Sequence, residues 1–262
     1  MYENFLISIV VPTFNDQLAL KITLDSIIQN SLIPIQIIIV DGGNEKYTNE
    51  IIDASIRKIP RICFLYLKDK AKGVFPAQNM GINAATGEWI MVLNSGDLLS
   101  EPAKKVFDNS FLSQFKTEQI VVFSQYAYNL EDNNGYIFKP TAKSIWPHQS
   151  ILVRKNIYKS LGCYDEGFKY SSDQIFFATI RKVVVFKIVD ICLTKYNLSG
   201  ISSRVNLQHS NEIFIMRRTL GDPYMKAVVR SYINPYLRKV IEILFNVKLV
   251  NSLKRRFFKY YN

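Results

Sequence analysis

The strongest constraint on the fold is a series of continuous apolar runs that alternate with helix-like patterns. Residues 6–11, 35–40, 62–67 and 89–93 are apolar at almost every position. Strands that are apolar on both sides are typical of a parallel sheet covered by helices on both faces. Segments with helical spacing lie between them, and the first follows Asp16, a residue type that favours helix starts. The sequence therefore predicts an α/β protein with a mostly parallel central sheet.

Polar turns follow three of these four strands, at residues 13–15, 41–43 and 94–97. In open parallel sheets, ligands bind beyond the carboxyl ends of the strands, so we expect these turns to meet at one binding edge. Asp97 could hold a divalent cation that binds a diphosphate, and Asp41 could accept hydrogen bonds from a nucleoside. Taken alone, Asp97 is more typical of ordinary turn chemistry, whereas Asp41 fits a turn or capping role and a nucleoside contact equally well.

The second half of the chain loses the regular alternation. It is predicted to contain a hairpin at 126–138, strands at 150–153 and 183–189, and helices at 154–161 and 173–181. From residue 206 onward the pattern is helical. We therefore expect an α/β domain over residues 1–205 and a basic amphipathic helical tail over residues 206–262.

The charge of the chain is concentrated near its C-terminus. The formal net charge is +11, and residues 226–262 carry nine basic side chains against one acid, Glu242. An apolar stripe at 240–253 precedes the basic cluster 254–256 and four aromatic residues, a composition that suits an anionic membrane surface. The alternatives are a helix that packs on its own domain or one that forms a homodimer contact. The apolar stripe and the lack of a recognised nucleic-acid motif argue against nucleic-acid binding.

Targeting and redox features point to the cytoplasm. The chain has no stretch of about 20 uncharged apolar residues, so we expect no membrane-spanning helix. Its first residues lack the basic flank of a secretion signal. Cys63, Cys163 and Cys192 are far apart in sequence, without metal-ligand spacing, and are predicted to be buried, reduced thiols.

Several motifs, in their order along the chain, resemble the family 2 glycosyltransferases. In the first hundred residues these are VPTFN at 11–15, VDGG at 40–43, KGVFPAQNMGI at 72–82, ATGEWI at 85–90 and LNSGD at 93–97. Later matches are PHQS at 147–150, GCYD at 162–165, SDQ at 172–174 and SGISS at 199–203. The resemblance is greatest to the branch that builds bacterial O-antigens, capsules and exopolysaccharides.

The resemblance implies a GT-A fold with a C-terminal helical extension and assigns roles to particular residues. Asp173 would be the catalytic base, and Asp97 would bind a divalent metal, Mn²⁺ or Mg²⁺. His148 and Gln149 would lie near the acceptor and the diphosphate. Arg204 is placed with them as a diphosphate contact, with an ordinary surface arginine as the alternative. The nucleotide-sugar site would comprise Pro12, Thr13, Asn15, Asp41, Gly73, Asn79, Asn94, Ser95 and Gly96.

The implied function is inverting transfer of a hexose or N-acetylhexosamine from a nucleotide donor, by default a uridine one, to a lipid-linked saccharide. Such an enzyme would act peripherally at the inner face of the cell membrane, in bacterial surface polysaccharide synthesis. The alternative is an inactive membrane-surface or scaffold protein that keeps the fold.

The chain departs from the family pattern at Ala71, Pro76 and Asn94. Because Asn94 is neutral, Asp97 would be the main protein carboxylate on the metal.

Overall fold

A computed structural model describes residues 6–55, 59, 61–128, 135–198 and 206–237. The predicted diphosphate contact Arg204, the motif at 199–203 and the basic tail at 238–262 lie outside the described residues.

Four parallel strands form the first half of the central sheet, in the order β3-β2-β1-β4. The strands are β1 (Ile7–Thr13), β2 (Ile35–Asp41), β3 (Ile62–Lys68) and β4 (Trp89–Val92). Between them lie the helices α1 (Gln17–Asn30), α2 (Glu45–Ser55) and α3 (Val74–Ala84). As the sequence predicts, Asp16 caps α1, because its carboxylate accepts a hydrogen bond from the Ala19 N–H at 2.9 Å. The predicted parallel arrangement is confirmed for this half.

The second half of the sheet is mixed rather than parallel. It contains β5 (Leu98–Leu99), β6 (Ile120–Tyr128), β7 (Gly135–Phe138), β8 (Ile151–Arg154) and β9 (Phe186–Asn197). β8 runs antiparallel to both of its neighbours, β4 and β6. β5 pairs antiparallel with β9, and β7 pairs antiparallel with β6 to form the predicted hairpin. Among the described strands of this half, only β6 and β9 pair in parallel. β9 continues past its predicted end at 189. The sequence pattern does not predict this extension, because most residues of the strand are half-exposed and give no apolar run.

Short helices complete the described chain. They are α4 (Ala103–Val106), α5 (Asn109–Ser113), α6 (Lys155–Leu161), α7 (Ser172–Ile180), α8 (Leu207–Thr219) and α9 (Tyr224–Val228), followed by a π-helical turn at Val229–Ile233. α6 ends at Gly162, whose φ of +88° favours glycine. The predicted helical character is confirmed for the described residues after 206. Among the described residues, no helix has the length and apolarity needed to cross a membrane.

The core lies on both faces of the sheet. On β1, Ile7, Ile9 and Val11 belong to one buried cluster, with side chains of α1, α2, α4 and α5. Val10 belongs to a second cluster, with side chains of α3, α6 and α7. Successive side chains of a strand point to opposite faces, so this alternation requires helices on both sides.

The cysteine prediction is partly wrong. The three thiols are free, but Cys63 is exposed, and Cys163 and Cys192 are partly exposed. Cys63 lies on β3, which is an edge strand of the sheet, so one neighbouring strand is missing there. An apolar run in the sequence does not reveal that its strand will lie at an edge.

The sheet register brings distant segments to one edge. Thr13 and Asp41 are partners at the ends of β1 and β2, and the Leu93 N–H donates to the Val10 carbonyl at 2.9 Å. Because β8 runs antiparallel to β4, the start of β8 lies beside the end of β4. The 3₁₀ turn His148–Ser150, which leads into β8, therefore reaches the same edge as the turn 94–97.

Candidate active site

A chain of polar contacts joins three of the predicted site residues at this edge. The Nδ1 atom of His148 lies 2.5 Å from Oδ2 of Asp173. The Nε2 atom of the same ring lies 3.2 Å from Nδ2 of Asn94, and Oδ1 of Asn94 accepts a hydrogen bond from Gln78 at 2.8 Å. The imidazole of His148 is thus held at both nitrogens, which fixes its orientation.

Asp173 lies in the first turn of α7 and is 4% exposed. The unpaired N–H groups at a helix start favour a negative charge there. The contact with His148 engages one carboxylate oxygen from the other side. Asp173 is therefore an oriented carboxylate next to the strand-end turns, which is the arrangement that a general base requires.

The turn that carries Asp97 is held by Thr23 of α1. The Gly96 N–H donates to Oγ1 of Thr23 at 2.8 Å, and this hydroxyl donates to the Asp97 carbonyl at 2.9 Å. Gly96 has φ of +98°, a conformation that side chains other than glycine rarely adopt. The glycine and the threonine together set the direction in which the Asp97 side chain leaves the turn.

The Asp97 carboxylate is buried beside His148. Burial raises the pKa of Asp97 to about 7, although the charge of His148 and hydrogen bonds from the Gln149 side chain and the Asn197 backbone act in the opposite direction. The protein alone therefore compensates the negative charge of Asp97 only in part. A nearby cation would favour the ionised form.

His148 lies between two acids. Burial lowers the pKa of His148, but the charge and hydrogen bond of Asp173 and the charge of Asp97 outweigh it, so the pKa is higher than usual. Both acids therefore favour the protonated form of the ring, against the effect of burial.

Asp41 occupies the end of β2 and is fully buried. Its carboxylate accepts hydrogen bonds from the Gly43 N–H at 2.6 Å and the Tyr66 hydroxyl at 3.1 Å, and the amine of Lys68 lies 3.9 Å away. Burial, followed by the charge of Asp41, raises the pKa of Tyr66. In this structure Asp41 organises its own turn, whereas the sequence predicts that it lines the nucleotide pocket.

The turn after β1 is tied to both neighbouring turns. The Pro12 carbonyl accepts from the Ser95 N–H at 3.2 Å, and the hydroxyls of Thr13 and Ser95 are 3.4 Å apart. On the other side, Oδ1 of the exposed Asn15 accepts from the Asn44 N–H at 3.0 Å. These predicted donor-site residues therefore lie together.

Gly73 and Asn79 belong to α3. Gly73 is the exposed N-cap residue, with φ of +133°. Asn79 is buried. Its Nδ2 group donates to the Tyr164 carbonyl at 2.8 Å and to Oε1 of Glu166 at 3.0 Å, and its Oδ1 atom accepts from the Tyr164 N–H at 3.0 Å. Asn79 thus fastens α3 to the 164–166 segment, whereas the sequence predicts that it contacts the donor.

Sequence reasoning assigned no role to Gln78 or Thr23. Gln78 is 1% exposed, and its Oε1 atom has no hydrogen-bond partner in the described structure. In the sequence, Gln78 is marked only as a polar residue inside the helical segment 72–82. Thr23 gave no signal, because threonine is common in helices that pack on a sheet.

The side chains at this edge fit a divalent cation held mainly by one carboxylate. Within the described residues, no three His, Cys, Asp or Glu side chains form a metal-binding group. Both nitrogens of His148 are already engaged. Asp97 remains as a partly compensated carboxylate that could serve as an oxygen ligand, with the neutral amide of Asn94 nearby in the same turn. Mg²⁺ sites often use one or two carboxylates and take their other ligands from phosphate and water.

Comparisons with known proteins agree with this architecture. Residues 8–169 match the family model described as glycosyl transferase family 2. A "PGL/p-HBAD biosynthesis glycosyltransferase" from Mycobacterium bovis is 24% identical over 257 residues, 95% of this chain and 97% of that protein. Glycosyltransferase GlyG from Streptococcus pneumoniae is 32% identical over 133 residues, 51% of this chain and 43% of that protein.

Two solved structures confirm the expected GT-A fold. TarS 1–349 from S. aureus, in complex with UDP, has a TM-score of 0.63 at 12% identity over 95% of this chain and 75% of that one. The mannosyltransferase PcManGT from Pyrobaculum calidifontis, in complex with GDP-Man and Mn²⁺, has a TM-score of 0.62 at 12% identity over 99% of this chain and 81% of that one.

The raised pKa of Asp97 predicts a specific pH dependence of stability. Between pH 4 and about 7 the folded protein keeps a proton on Asp97 that the unfolded chain releases, so the free energy of unfolding falls as pH rises through this window. Asp97→Asn removes this loss. We expect the variant to gain stability over the parent protein as pH rises from 4.5 to 8, measured by thermal unfolding with a chelator present. Asp25→Asn, on the surface of α1, is the control, and a pH-independent difference for Asp97→Asn would contradict the assignment.

Proposed function

This chain belongs to glycosyl transferase family 2, and we propose that it is an inverting enzyme that moves a sugar from a nucleotide-sugar donor to a lipid-linked saccharide. The observation that carries this proposal is the pair of buried carboxylates, Asp97 and Asp173, on either side of His148 at the strand-end edge. One carboxylate suits proton removal, and the other suits charge neutralisation at a leaving diphosphate.

In the proposed reaction, Asp173 removes the proton from the acceptor hydroxyl. The acceptor oxygen forms a bond to the anomeric carbon, while the bond from that carbon to the donor phosphate oxygen breaks and its electrons leave with the nucleoside diphosphate. His148 holds Oδ2 of Asp173, so the other oxygen is the one assigned to the acceptor. A single displacement of this kind inverts the configuration at the anomeric carbon.

Asp97 would hold a divalent cation, Mn²⁺ or Mg²⁺, with the Asn94 amide as a neutral neighbour. Such an ion supplies positive charge to the departing diphosphate. The buried, partly compensated carboxylate of Asp97 supports this assignment. The mannosyltransferase with a related fold was solved with Mn²⁺, which is a further reason to test this ion.

The donor would lie over the ends of β1, β2 and β4. The turns that contain Thr13, Asn15 and Ser95 are joined by hydrogen bonds there, and Gly73, the N-cap residue of α3, is assigned to the same site. Asp41 would act by holding its turn and Asn79 by holding α3. A uridine diphosphate sugar is the default donor, and the TarS structures with UDP and UDP-GlcNAc support testing it first.

The lipid-linked acceptor and the peripheral membrane location are supported by the C-terminal segment. The described helices expose Tyr224, Met225, Ile233 and Leu237 to solvent, and the following residues, 238–262, are rich in lysine and arginine. Apolar and aromatic side chains next to basic ones suit the surface of an anionic bilayer. We place the enzyme at the inner face of the cell membrane in bacterial surface polysaccharide synthesis.

Asp173→Asn should lower kcat by about 10²–10⁴-fold, the usual contribution of a general base. The isosteric amide keeps the shape of the site, so UDP affinity should remain within twofold of the parent protein. Transfer kinetics and calorimetric UDP binding provide the two readouts. Asp25→Asn removes only an exposed ion pair with Lys21 and serves as the control. A fully active Asp173→Asn enzyme would exclude Asp173 as the base.

A thermal-shift screen with UDP and GDP, each with and without Mn²⁺, tests the donor and metal assignments together. A ligand at a hundredfold excess over its dissociation constant stabilises the fold by about 2.7 kcal/mol. We expect this stabilisation for one nucleotide, larger with Mn²⁺, and we expect Asp97→Ala to lose the Mn²⁺-dependent part. If neither nucleotide shifts the melting temperature under either condition, the donor and metal assignments are contradicted and the inactive scaffold is favoured.

Replacement of Lys254, Arg255 and Arg256 by glutamate should weaken binding to vesicles that contain phosphatidylglycerol. Loss of three basic residues, each worth about 1 kcal/mol at an anionic surface, corresponds to about a hundredfold weaker binding. In the matched control, glutamate replaces the exposed residues Lys104, Lys105 and Lys116, which gives the same change in net charge. Equal sedimentation of both variants with the vesicles would locate the membrane contact elsewhere.

A further inference from the structure

A buried acid on α8 binds the backbone that leads into the helix of the proposed base. The Glu212 carboxylate accepts hydrogen bonds from the N–H groups of Lys169, Tyr170 and Ser171 at 2.9, 2.7 and 2.8 Å. Glu212 is 4% exposed. Hydrogen bonds to an ionised acceptor are stronger than neutral ones, and a buried charge requires such partners.

These three N–H groups immediately precede α7, whose first turn contains Asp173. Ser171 is the N-cap residue, but its side chain makes no capping bond, and its hydroxyl is buried without a partner in the described structure. Glu212 therefore holds the backbone up to the N-cap residue from another helix and places a carboxylate near the start of α7.

Other contacts hold α8 in place around Glu212. The rings of Tyr170 and His209 are stacked with centroids 5.0 Å apart. The Tyr232 hydroxyl donates to Oδ1 of Asn211 at 2.8 Å, so the π-helical turn is fastened to α8 beside Glu212. The C-terminal helices thus form one packed unit with the segment that carries the base.

We propose that Glu212 is a positioning residue that fixes the 169–171 backbone and thereby the reach of Asp173 toward the acceptor hydroxyl. The proposal rests on the proposed function, because it assumes that Asp173 is the base. Glu212 lies beyond residues 8–169, which match the family model, so it is assigned from the contacts of this chain alone.

Glu212→Gln tests the proposal because the amide has one acceptor oxygen in place of two and turns an NH₂ group toward the backbone donors. Misplacement of a reacting group by about 1 Å can cost about a hundredfold in rate. We expect kcat for transfer to fall between tenfold and a hundredfold, while donor KM and UDP affinity remain within twofold. Asn211→Ala, which removes the neighbouring Tyr232 contact, controls for general loosening of α8 and should keep kcat within threefold.

A double variant separates positioning from a structural effect. Residues that act as a unit are strongly non-additive, so adding Glu212→Gln to Asp173→Ala should cause no further loss of the residual kcat. A wild-type kcat in Glu212→Gln, or the same loss in both backgrounds, would overturn the proposal. If Glu212→Gln does not fold, Glu212→Asp, which keeps the charge but shortens the reach, is measured in the same way.

The experiment also distinguishes failure of this inference from failure of the proposed function. If Asp173→Ala keeps full activity, the base assignment itself is wrong, and the role of Glu212 falls with it. If Asp173→Ala is inactive and Glu212→Gln is fully active, the proposed reaction stands and only the positioning role is excluded.

Discussion

The contact between His148 and Asp173 depends on one feature of the sheet, the antiparallel pairing of β8 with β4. A parallel strand in that place would send the start of β8 to the opposite edge, away from the turn 94–97. The reversal brings an imidazole between two carboxylates that are 76 residues apart in the chain, Asp97 and Asp173. All three groups are largely buried, so their mutual charges are only weakly screened by water.

Buried charge is the second organising feature of this edge. Asp173 has the His148 imidazole and a helix start beside it, whereas Asp97 remains only partly compensated and has a pKa of about 7. Two carboxylates in different surroundings suit different tasks, one for proton removal and one for binding a cation. Asn94 lies in the same turn as Asp97 and contacts His148. Its neutral amide therefore leaves Asp97 as the only acid of that turn.

The C-terminal helices are joined to the proposed catalytic unit rather than appended to it. Glu212 binds the backbone before α7, and Asn211 binds the π-helical turn that leads toward the exposed apolar residues 233 and 237. The proposed membrane contact at that end and the proposed base at the other are thus connected through α8. The domain boundary at residue 206 stays a prediction, and contacts such as that of Glu212 join the helices after it to the segment before α7.

The sequence by itself determined the first half of the fold, because apolar runs on both faces and helical spacing between them are local patterns. It also determined which turns meet, since the carboxyl ends of parallel strands share one edge, and ordered motifs pointed to Asp97, His148 and Asp173. Only the tertiary structure decided that β8 reverses, that Cys63 is exposed, that Asp41 and Asn79 bind the protein's own backbone, and that Glu212 reaches α7. Those outcomes depend on strand direction, edge position and contacts between residues far apart in the chain, and none of these leaves a periodic pattern in the sequence.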